Sequence, residues 1–256
     1  MPILIETAES QYRETYALVV NERDGSVLVY VPGGEFEMGD GQGSDCPKHR
    51  VAVSGYWIGI YCVTNRQYAA FVKATGHRAP EQADYGTPVW QHGRCPEEKL
   101  EHPVVCVSWE DASAYAKWSG LELPTEAQWE KSARGPKGLI YPWGNEWDAG
   151  KCRNSTNKGS GQTCAVWEYP LGVSGYGTYN QSGNVWEWCR DWYGSDYYGK
   201  SPAQDPGGPE GGSFRVFRGG GWGGDVASYC RGANRGGNSP GLRGINLGFR
   251  LVRTAS

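Results

Sequence analysis

The chain has 256 residues, a formal net charge of −3, 39 glycines, 12 tryptophans and 16 tyrosines. The small charge and the lack of a basic stretch interleaved with aromatics exclude a nucleic-acid surface, and no run approaches the roughly eighteen apolar residues of a membrane span. The N-terminus lacks the pattern of a signal peptide, so we expect a cytoplasmic location by default.

The first elements predicted along the chain are short strands. Residues 17–20 and 26–31 flank an Asp24-Gly25 turn and predict a β-hairpin. Residues 51–54 and 56–60 predict further strands. The glycine and aromatic content favours a loop-rich globule with an aromatic core.

Three helices are predicted next. Each starts at a hydroxyl residue that can cap a helix, and each ends at or near a glycine. The caps are Thr64, Ser108 and Thr125, and the glycines are Gly76, Gly120 and Gly135. From about Lys137 onward turn signals predict short strands and long loops. With no internal repeat or linker, we predict one domain over residues 1–256.

The cysteines indicate no metal cluster by their spacing. They stand at 46, 62, 95, 106, 152, 164, 189 and 230. No Cys-x-x-Cys pair occurs and the four histidines are equally scattered, so a zinc site is not indicated. One or two disulfides remain open, the nearest partners in sequence being Cys95 with Cys106 and then Cys152 with Cys164.

A series of short blocks carries a family resemblance from about Leu28 to Arg253. The blocks are VPGGEFEMG at 31–39, YCVTNRQY at 61–68, PVVCVSW at 103–109, LPTEAQWE at 123–130, YPWGN at 141–145, GNVWEW at 183–188, RGGGW at 218–222 and NLGFR at 246–250. In this order they resemble the formylglycine-generating enzyme, or sulfatase-modifying factor, family. The resemblance implies an α+β, irregular C-type lectin-like fold with little regular secondary structure.

The same resemblance implies a structural calcium site. The positions that match the family's calcium ligands are Asn180, Gly183, Val185 and Glu187. Two side-chain oxygens and two backbone carbonyls would suit a hard cation. The alternative is that backbone donors of the same turn satisfy the glutamate. A second calcium site would start at Asn154, but its acidic partner falls near Ser160, where the match is uncertain.

The catalytic residues of the family are incomplete in this chain. The oxidase that converts a substrate cysteine to formylglycine uses two cysteines, separated by four residues, which bind copper as thiolates. Here Cys230 is present, whereas the first position falls at Gly223, Gly224 or Asp225. We therefore expect no copper and no catalytic residue, with Cys230 a buried structural thiol or a disulfide partner. A hydrolase elbow of the GxSxG type is also missing.

Residues 223–246 have a restricted composition that points to a different role. Lysine, glutamate, glutamine, methionine and tryptophan are missing there, and these types cannot arise by substituting the adenines of an AAC or AAT codon. This pattern resembles the variable proteins of diversity-generating retroelements, which diversify a ligand-binding surface on this fold. An ordinary glycine-rich loop is the alternative. The positions expected to bind ligand are Gly223, Gly224, Asp225, Ser228, Tyr229, Gly232, Gly236, Gly237, Asn238, Ser239, Gly241, Leu242, Gly244, Ile245 and Asn246.

The sequence therefore favours a non-enzymatic module in which residues 222–250, called the C-terminal segment below, bind an unknown protein or surface ligand. Trp222 and Phe249 are expected to pack inward, while arginines at 231, 235 and 250 hold carbonyls or carboxylates beneath the surface. The alternative function is a formylglycine-generating oxidase-like enzyme acting on a substrate cysteine. A third possibility is an assembly domain without a ligand face.

Overall fold

Short strands, helices and long loops make up the fold. The computed structural model describes residues 17–159, 161–223 and 226–254. In these ranges the α-helices are α1 (Asn65–Thr75), α2 (Trp109–Ser119), α3 (Glu126–Arg134) and α4 (Val226–Tyr229). The strands are β1 (Leu18–Val20), β2 (Val27–Val31), β3 (Gly34–Met38), β4 (His49–Val53), β5 (Tyr56–Gly59), β6 (Trp186–Trp192), β7 (Arg215–Arg218), β8 (Arg235–Asn238), β9 (Leu247–Phe249) and β10 (Val252–Thr254).

The predicted hairpin is confirmed, because β1 and β2 pair antiparallel with Leu18 opposite Val29. These strands continue into a four-stranded sheet of order β1-β2-β5-β10, and β3 pairs with β4 alone. A second four-stranded sheet has the order β8-β7-β6-β9, in which β6 and β9 run parallel. In this sheet β6, which begins in the GNVWEW block, lies between β7 and β9. Strand β8 pairs with the other edge of β7.

The three predicted helix starts are also confirmed. Thr64, Ser108 and Thr125 each accept a hydrogen bond from the backbone three residues later. Each of their backbone N–H groups donates in return to the side chain of that later residue, which completes a capping box. Helices α1 and α2 end at Gly76 and Gly120, whose φ angles of 71° and 75° suit glycine. These boundaries follow from hydrogen bonds between residues that are close in sequence, so residue types alone predict them.

Aromatic side chains form much of the core, as the composition predicts. The rings of Tyr68 and Tyr115 stack at 5.8 Å, and Phe249 meets Tyr115 edge to face at 5.4 Å. All three side chains are buried. Phe249 therefore joins the end of the chain to helices α1 and α2. In the described part of the chain, no helix is long and apolar enough to cross a membrane.

Candidate functional site

A buried ion-pair network supports the C-terminal segment from below. The guanidinium of Arg218 donates to Glu126 at 2.8 Å and to Glu130 at 2.6 Å, while Arg235 donates to Glu126 at 2.7 Å. Arg218 also binds the carbonyl oxygen of Gly232. Burial alone would raise the pKa of Glu126, but Arg235 and Arg218 hold it below its usual value. Helix α3 is thus tied to β7 and β8 by charge-assisted hydrogen bonds.

A second buried pair joins β6 to the end of the C-terminal segment. Arg250 donates from Nε to Glu187 Oε2 at 2.6 Å and from a terminal nitrogen to Oε1 at 2.7 Å. The indole of Trp129 and the thiol of Cys62 also donate to this carboxylate. The prediction that arginines at 231, 235 and 250 bind carbonyls or carboxylates is confirmed, since Arg231 pairs with Asp40.

These contacts fit the predicted calcium ligands only in part. Both oxygens of Glu187 are engaged by Arg250, whose positive charge already neutralises the carboxylate. Asn180, in contrast, is 6% exposed, and its side-chain oxygen has no hydrogen-bond partner among the described residues. At Asn154, the start of the second predicted site, the side-chain oxygen accepts hydrogen bonds from the backbone amide and the hydroxyl of Thr156. Calcium binding stays a prediction.

The C-terminal segment is exposed in some predicted positions and buried in others. Among the predicted ligand-binding residues, the exposed ones are Gly223, Ser228, Tyr229, Ser239 and Gly241, and the partly exposed ones are Gly236, Gly237, Asn238, Leu242 and Asn246. Gly232, Gly244 and Ile245 are buried, so they do not lie on a ligand-binding surface as predicted. Ile245 instead packs in a core cluster with Cys106 and Val185. Gly224 and Asp225 lie outside the described residues.

Several glycines of this segment are covered by aromatic rings. A Cβ atom added at Gly236 would lie 2.5 Å from the Phe217 ring, and one added at Gly237 would lie 2.6 Å from the Tyr193 ring. Gly223 and Gly241 have open space instead. The glycine content therefore reflects close packing at some positions and exposure at others, a difference that the composition alone does not reveal.

Aromatic side chains also surround the exposed part of the segment. Trp186 contacts the rings of Phe217 and Tyr229 at centroid distances of 4.8 and 6.0 Å. Tyr229 is 46% exposed. The amide of Asn246 accepts a hydrogen bond from Tyr85 at 2.6 Å. Trp222 is partly buried in a core cluster, as predicted.

The thiol of Cys230 lies beside a second thiol, that of Cys152. Both side chains are 2% exposed and share an aromatic cluster with Tyr141 and Trp143. The hydrogen bond between Cys230 and Cys152, together with burial, raises the pKa of the Cys230 thiol well above its ordinary value. Cys230 is the one cysteine of the C-terminal segment and is buried, as predicted, and the fold places the thiol of Cys152 beside it from a distant loop. We call Cys152 and Cys230 the thiol pair.

All eight cysteines are free thiols. The pairs nearest in sequence, Cys95 with Cys106 and Cys152 with Cys164, are not joined. No spacing signal marked Cys152 as the neighbour of Cys230, because the 3-10 turn that ends at Cys152 and helix α4 meet only through the tertiary fold. Among the described residues, no group of three or more histidine, cysteine, aspartate or glutamate side chains could hold a metal ion.

The buried carboxyl group of Asp191 is expected to make the stability of the fold depend on pH. Burial, reinforced by Glu126, raises the pKa of Asp191 to about 7, although the Glu126 backbone N–H opposes this shift. Because the folded-state pKa exceeds the unfolded value, Asp191 contributes stability that is full at low pH and is lost as pH rises through about 7. We expect Asp191→Asn to raise the melting temperature at about pH 8 and to have little effect below about pH 4.

Thermal denaturation of both proteins across this pH range measures the effect. Asp196→Asn serves as a control, because that carboxyl group is exposed and pairs with Lys200 at the surface. A gain for Asp191→Asn that is equal at both ends of the range would contradict the assigned titration.

Comparison with known proteins places the chain in a family. Residues 16–255 match the family model described as the sulfatase-modifying factor enzyme 1-like domain. The formylglycine-generating enzyme of Streptomyces coelicolor is 40% identical over 285 residues, covering 89% of each chain. The chain belongs to the sulfatase-modifying factor, or formylglycine-generating enzyme, family.

Two solved structures extend this result. PvdO from Pseudomonas aeruginosa superposes with a TM-score of 0.80 at 28% identity, covering 95% of this chain and 100% of that one. Variable protein 1 of Treponema denticola superposes with a TM-score of 0.76 at 26% identity, covering 94% and 100%. The predicted family, the irregular α+β fold of this type and the resemblance to a variable protein are confirmed.

The prediction that the chain is not an enzyme is wrong. A relative named as a formylglycine-generating enzyme, 40% identical over nearly the whole chain, points to an enzyme. That prediction depended on one missing cysteine near Gly223–Asp225. The oxidase alternative is the better supported of the two functions that the sequence left open.

Proposed function

We propose that this chain oxidises a cysteine side chain of a peptide to formylglycine. The observation that carries the proposal is the 40% identity to the Streptomyces formylglycine-generating enzyme over 89% of both chains. The position of Cys230 supports it, because this thiol lies directly after helix α4 and next to exposed Ser228 and Tyr229. A substrate bound to the surface that Ser228 and Tyr229 form would therefore lie close to the Cys230 thiol.

The thiol pair fits copper(I), the metal that the family resemblance implies. Two contacting thiols are soft donors, which favour copper(I) over hard cations. When bound, the metal would supply redox chemistry with dioxygen. Tyr141 and Trp143 exclude water from the thiols, since the cysteines are packed against these rings. Trp186 and Tyr229 offer apolar contact area for a peptide beside them.

In the proposed reaction, dioxygen is the oxidant. The substrate cysteine loses its sulfur as hydrogen sulfide and gains an aldehyde oxygen from dioxygen, whose second oxygen leaves as water. A thiol reductant supplies two electrons, and two protons are taken up. Oxygen uptake and aldehyde formation are therefore both measurable, and they must occur together.

The test uses the full chain loaded with copper(I), a cysteine-containing sulfatase peptide and a thiol reductant. We expect oxygen uptake and a hydrazide-reactive aldehyde, both abolished by Cys230→Ser. Cys95→Ser is the matched control, because Cys95 contacts the neighbouring Pro96 carbonyl and is not part of the thiol pair. A folded, copper-loaded chain that forms no aldehyde would overturn the proposal.

We also propose that the exposed part of the C-terminal segment recognises the peptide or another ligand. The superposition of the whole Treponema variable protein on this chain supports this, as does the exposure of Ser228, Tyr229, Ser239 and Gly241. Tyrosine supplies a large contact area at low entropic cost. We expect Tyr229→Ala to weaken peptide binding about tenfold, a typical effect for an interface aromatic.

Fluorescence anisotropy with a labelled peptide measures that loss. Leu171→Ala is the matched control, because Leu171 is also exposed, at 54%, but lies in the 3-10 turn Pro170–Gly172. Equal binding by the wild type and Tyr229→Ala would remove Tyr229 from the recognition surface.

We retain structural calcium as a proposal, supported by the buried and unpartnered side-chain oxygen of Asn180 in the described chain. Calcium that binds only the native state raises the melting temperature by mass action. We expect millimolar calcium to raise the melting temperature relative to EDTA, and Asn180→Ala to remove the difference. Asn145→Ala is the control, because Asn145 is exposed and lies in another loop. Identical melting temperatures of the wild type in calcium and in EDTA would refute the calcium site.

A further inference from the structure

A cleft lies beside the turn of the β1–β2 hairpin and has a volume of about 360 Å³. Its walls include the hairpin turn at residues 24–27, the start of helix α1 at residues 64–67, Glu101 and Trp167. None of the described residues that line it belongs to the thiol pair or to the C-terminal segment. Small-molecule sites run from about 300 to 1,000 Å³, so this volume suits a small ligand. We call this cavity the hairpin cleft.

Hydrogen bonds hold the walls of the hairpin cleft in place. The side chain of Gln67 donates to the carbonyl oxygen of Asp24 at 3.3 Å and to the hydroxyl of Ser26 at 3.2 Å. This amide ties the hairpin turn to helix α1. On another side, the backbone N–H of Val166 donates to the carbonyl oxygen of Glu101 at 3.0 Å. The cleft is therefore formed before a ligand binds, which lowers the entropic cost of binding.

The lining of the hairpin cleft carries an excess of negative charge. Within the described chain, the carboxylate of Asp24 accepts hydrogen bonds from neutral donors and forms no ion pair. Glu101 pairs with Arg66 through one oxygen, and its other oxygen has no partner among the described residues. Two carboxylates and one guanidinium leave a net charge of −1 on the lining. This charge favours a cationic ligand and opposes an anionic one.

Aromatic rings supply an apolar wall to the same cleft. Trp167 is 50% exposed, and Tyr61 is partly buried with its ring held against Tyr179 at 5.0 Å. Tryptophan is the strongest partner for a cation over its ring face, and aromatic side chains of this kind recognise organic ammonium ions. A metal ion fits less well, because no described group of three or more histidine, cysteine, aspartate or glutamate side chains could hold one.

We propose that the hairpin cleft binds a small, free organic ammonium ion. The carboxylates of Asp24 and Glu101 attract its charged head, and the rings of Trp167 and Tyr61 contact its apolar body. One such ion neutralises the net charge of the lining. This binding does not rest on the proposed oxidase function, since the thiol pair takes no part in it.

The direct test is isothermal titration calorimetry of the full chain with phenethylammonium chloride. Phenethyl alcohol is the matched neutral ligand, because it has the same ring and chain length without the charge. We expect one ammonium ion per chain, bound about tenfold more tightly than the alcohol. No binding of the ammonium ion, or equal affinities for both ligands, would overturn the proposal. Tighter binding of N-acetyl-lysine methylamide would overturn a free amine in favour of a basic protein side chain.

Trp167→Ala should weaken phenethylammonium binding by about tenfold, since it removes the cation–π partner. Phe214→Ala is the matched control, because Phe214 is also an exposed aromatic residue, at 47%, but does not line the hairpin cleft. Near-ultraviolet circular dichroism verifies that both variants are folded. Wild-type affinity in folded Trp167→Ala would remove the indole from the site and overturn the proposal.

Arg66→Gln should instead tighten phenethylammonium binding by about two- to fivefold, because it removes the positive charge from the lining and frees Glu101. A damaged fold would weaken binding, so a gain separates a charge effect from a structural one. Lys48→Gln is the matched control, since Lys48 also forms an exposed ion pair, with Glu37, away from the cleft. Weaker or unchanged binding by folded Arg66→Gln would contradict recognition by charge.

Discussion

Replacing Arg250 with methionine is expected to destabilise the fold by about 3–5 kcal/mol, because it leaves a buried carboxylate without its counter-charge. Arg250 and Glu187 are both fully buried and share two hydrogen bonds of 2.6 and 2.7 Å. Arg250 also donates to the carbonyl oxygens of Gly59, Ile60 and Tyr179. Methionine fills much of the volume but supplies none of these donors. Urea denaturation, monitored by tryptophan fluorescence, measures the loss.

Lys200→Met is the control for a lost ion pair at the surface. Lys200 and Asp196 are 2.6 Å apart, but their side chains are 63% and 73% exposed. Such pairs contribute about 0–1 kcal/mol, so the control should unfold at nearly the wild-type midpoint. The double variant Glu187→Leu/Arg250→Met should recover part of the loss, because both buried charges are gone. Equal midpoints for Arg250→Met and Lys200→Met would show that the buried pair does not stabilise the fold.

Alanine at Gly237 is expected to destabilise the fold by about 1–3 kcal/mol, the usual range for an overpacked site. The added Cβ would lie 2.6 Å from Cγ and 2.7 Å from Cβ of Tyr193. That ring cannot easily move, because its hydroxyl donates to Asp45 at 2.7 Å and its face contacts Arg235. Thermal denaturation of the variant, compared with the wild type, measures the effect.

The matched control is Gly241→Ala, in the same segment and chemically identical. Nothing lies within 4 Å of the Cβ that it would add, and Gly241 is exposed. Its effect should be close to zero. If Gly237→Ala were as stable as Gly241→Ala, then Gly237 would be a free position of the recognition surface. If Gly237→Ala is less stable than Gly241→Ala, as expected, the Tyr193 ring restricts which side chains position 237 can hold.

The accurate predictions concern features whose cause is local in sequence. The helix starts at Thr64, Ser108 and Thr125 follow from hydrogen bonds that span three residues, and the β1–β2 hairpin follows from its short turn. The inward arginines were also predictable, since a charge in an otherwise apolar block needs a partner. The choice of partner, such as Glu126 for Arg235, was not predictable from either segment alone.

The errors came from positions where local residue type does not determine exposure or contact. The small residues of the C-terminal segment suggested an open surface, yet Gly232 and Gly244 are buried and Ile245 packs in a core cluster. Glycine is compatible with both an exposed turn and a close approach of two elements. The outcome depends on which side chain lies above it, and Tyr193 and Phe217 come from other strands and loops.

By itself the sequence determined the family, the boundaries of helices α1 to α3, the β1–β2 hairpin and the arginines that hold the C-terminal segment, because these depend on short-range patterns. Only the tertiary structure decided that Cys152 lies against Cys230 and that the thiols form a pair. The physical reason is that contacts between irregular loops follow from packing of the whole core and leave no periodicity in the chain. The fold thereby supplies a second thiol that the spacing of the cysteines did not predict.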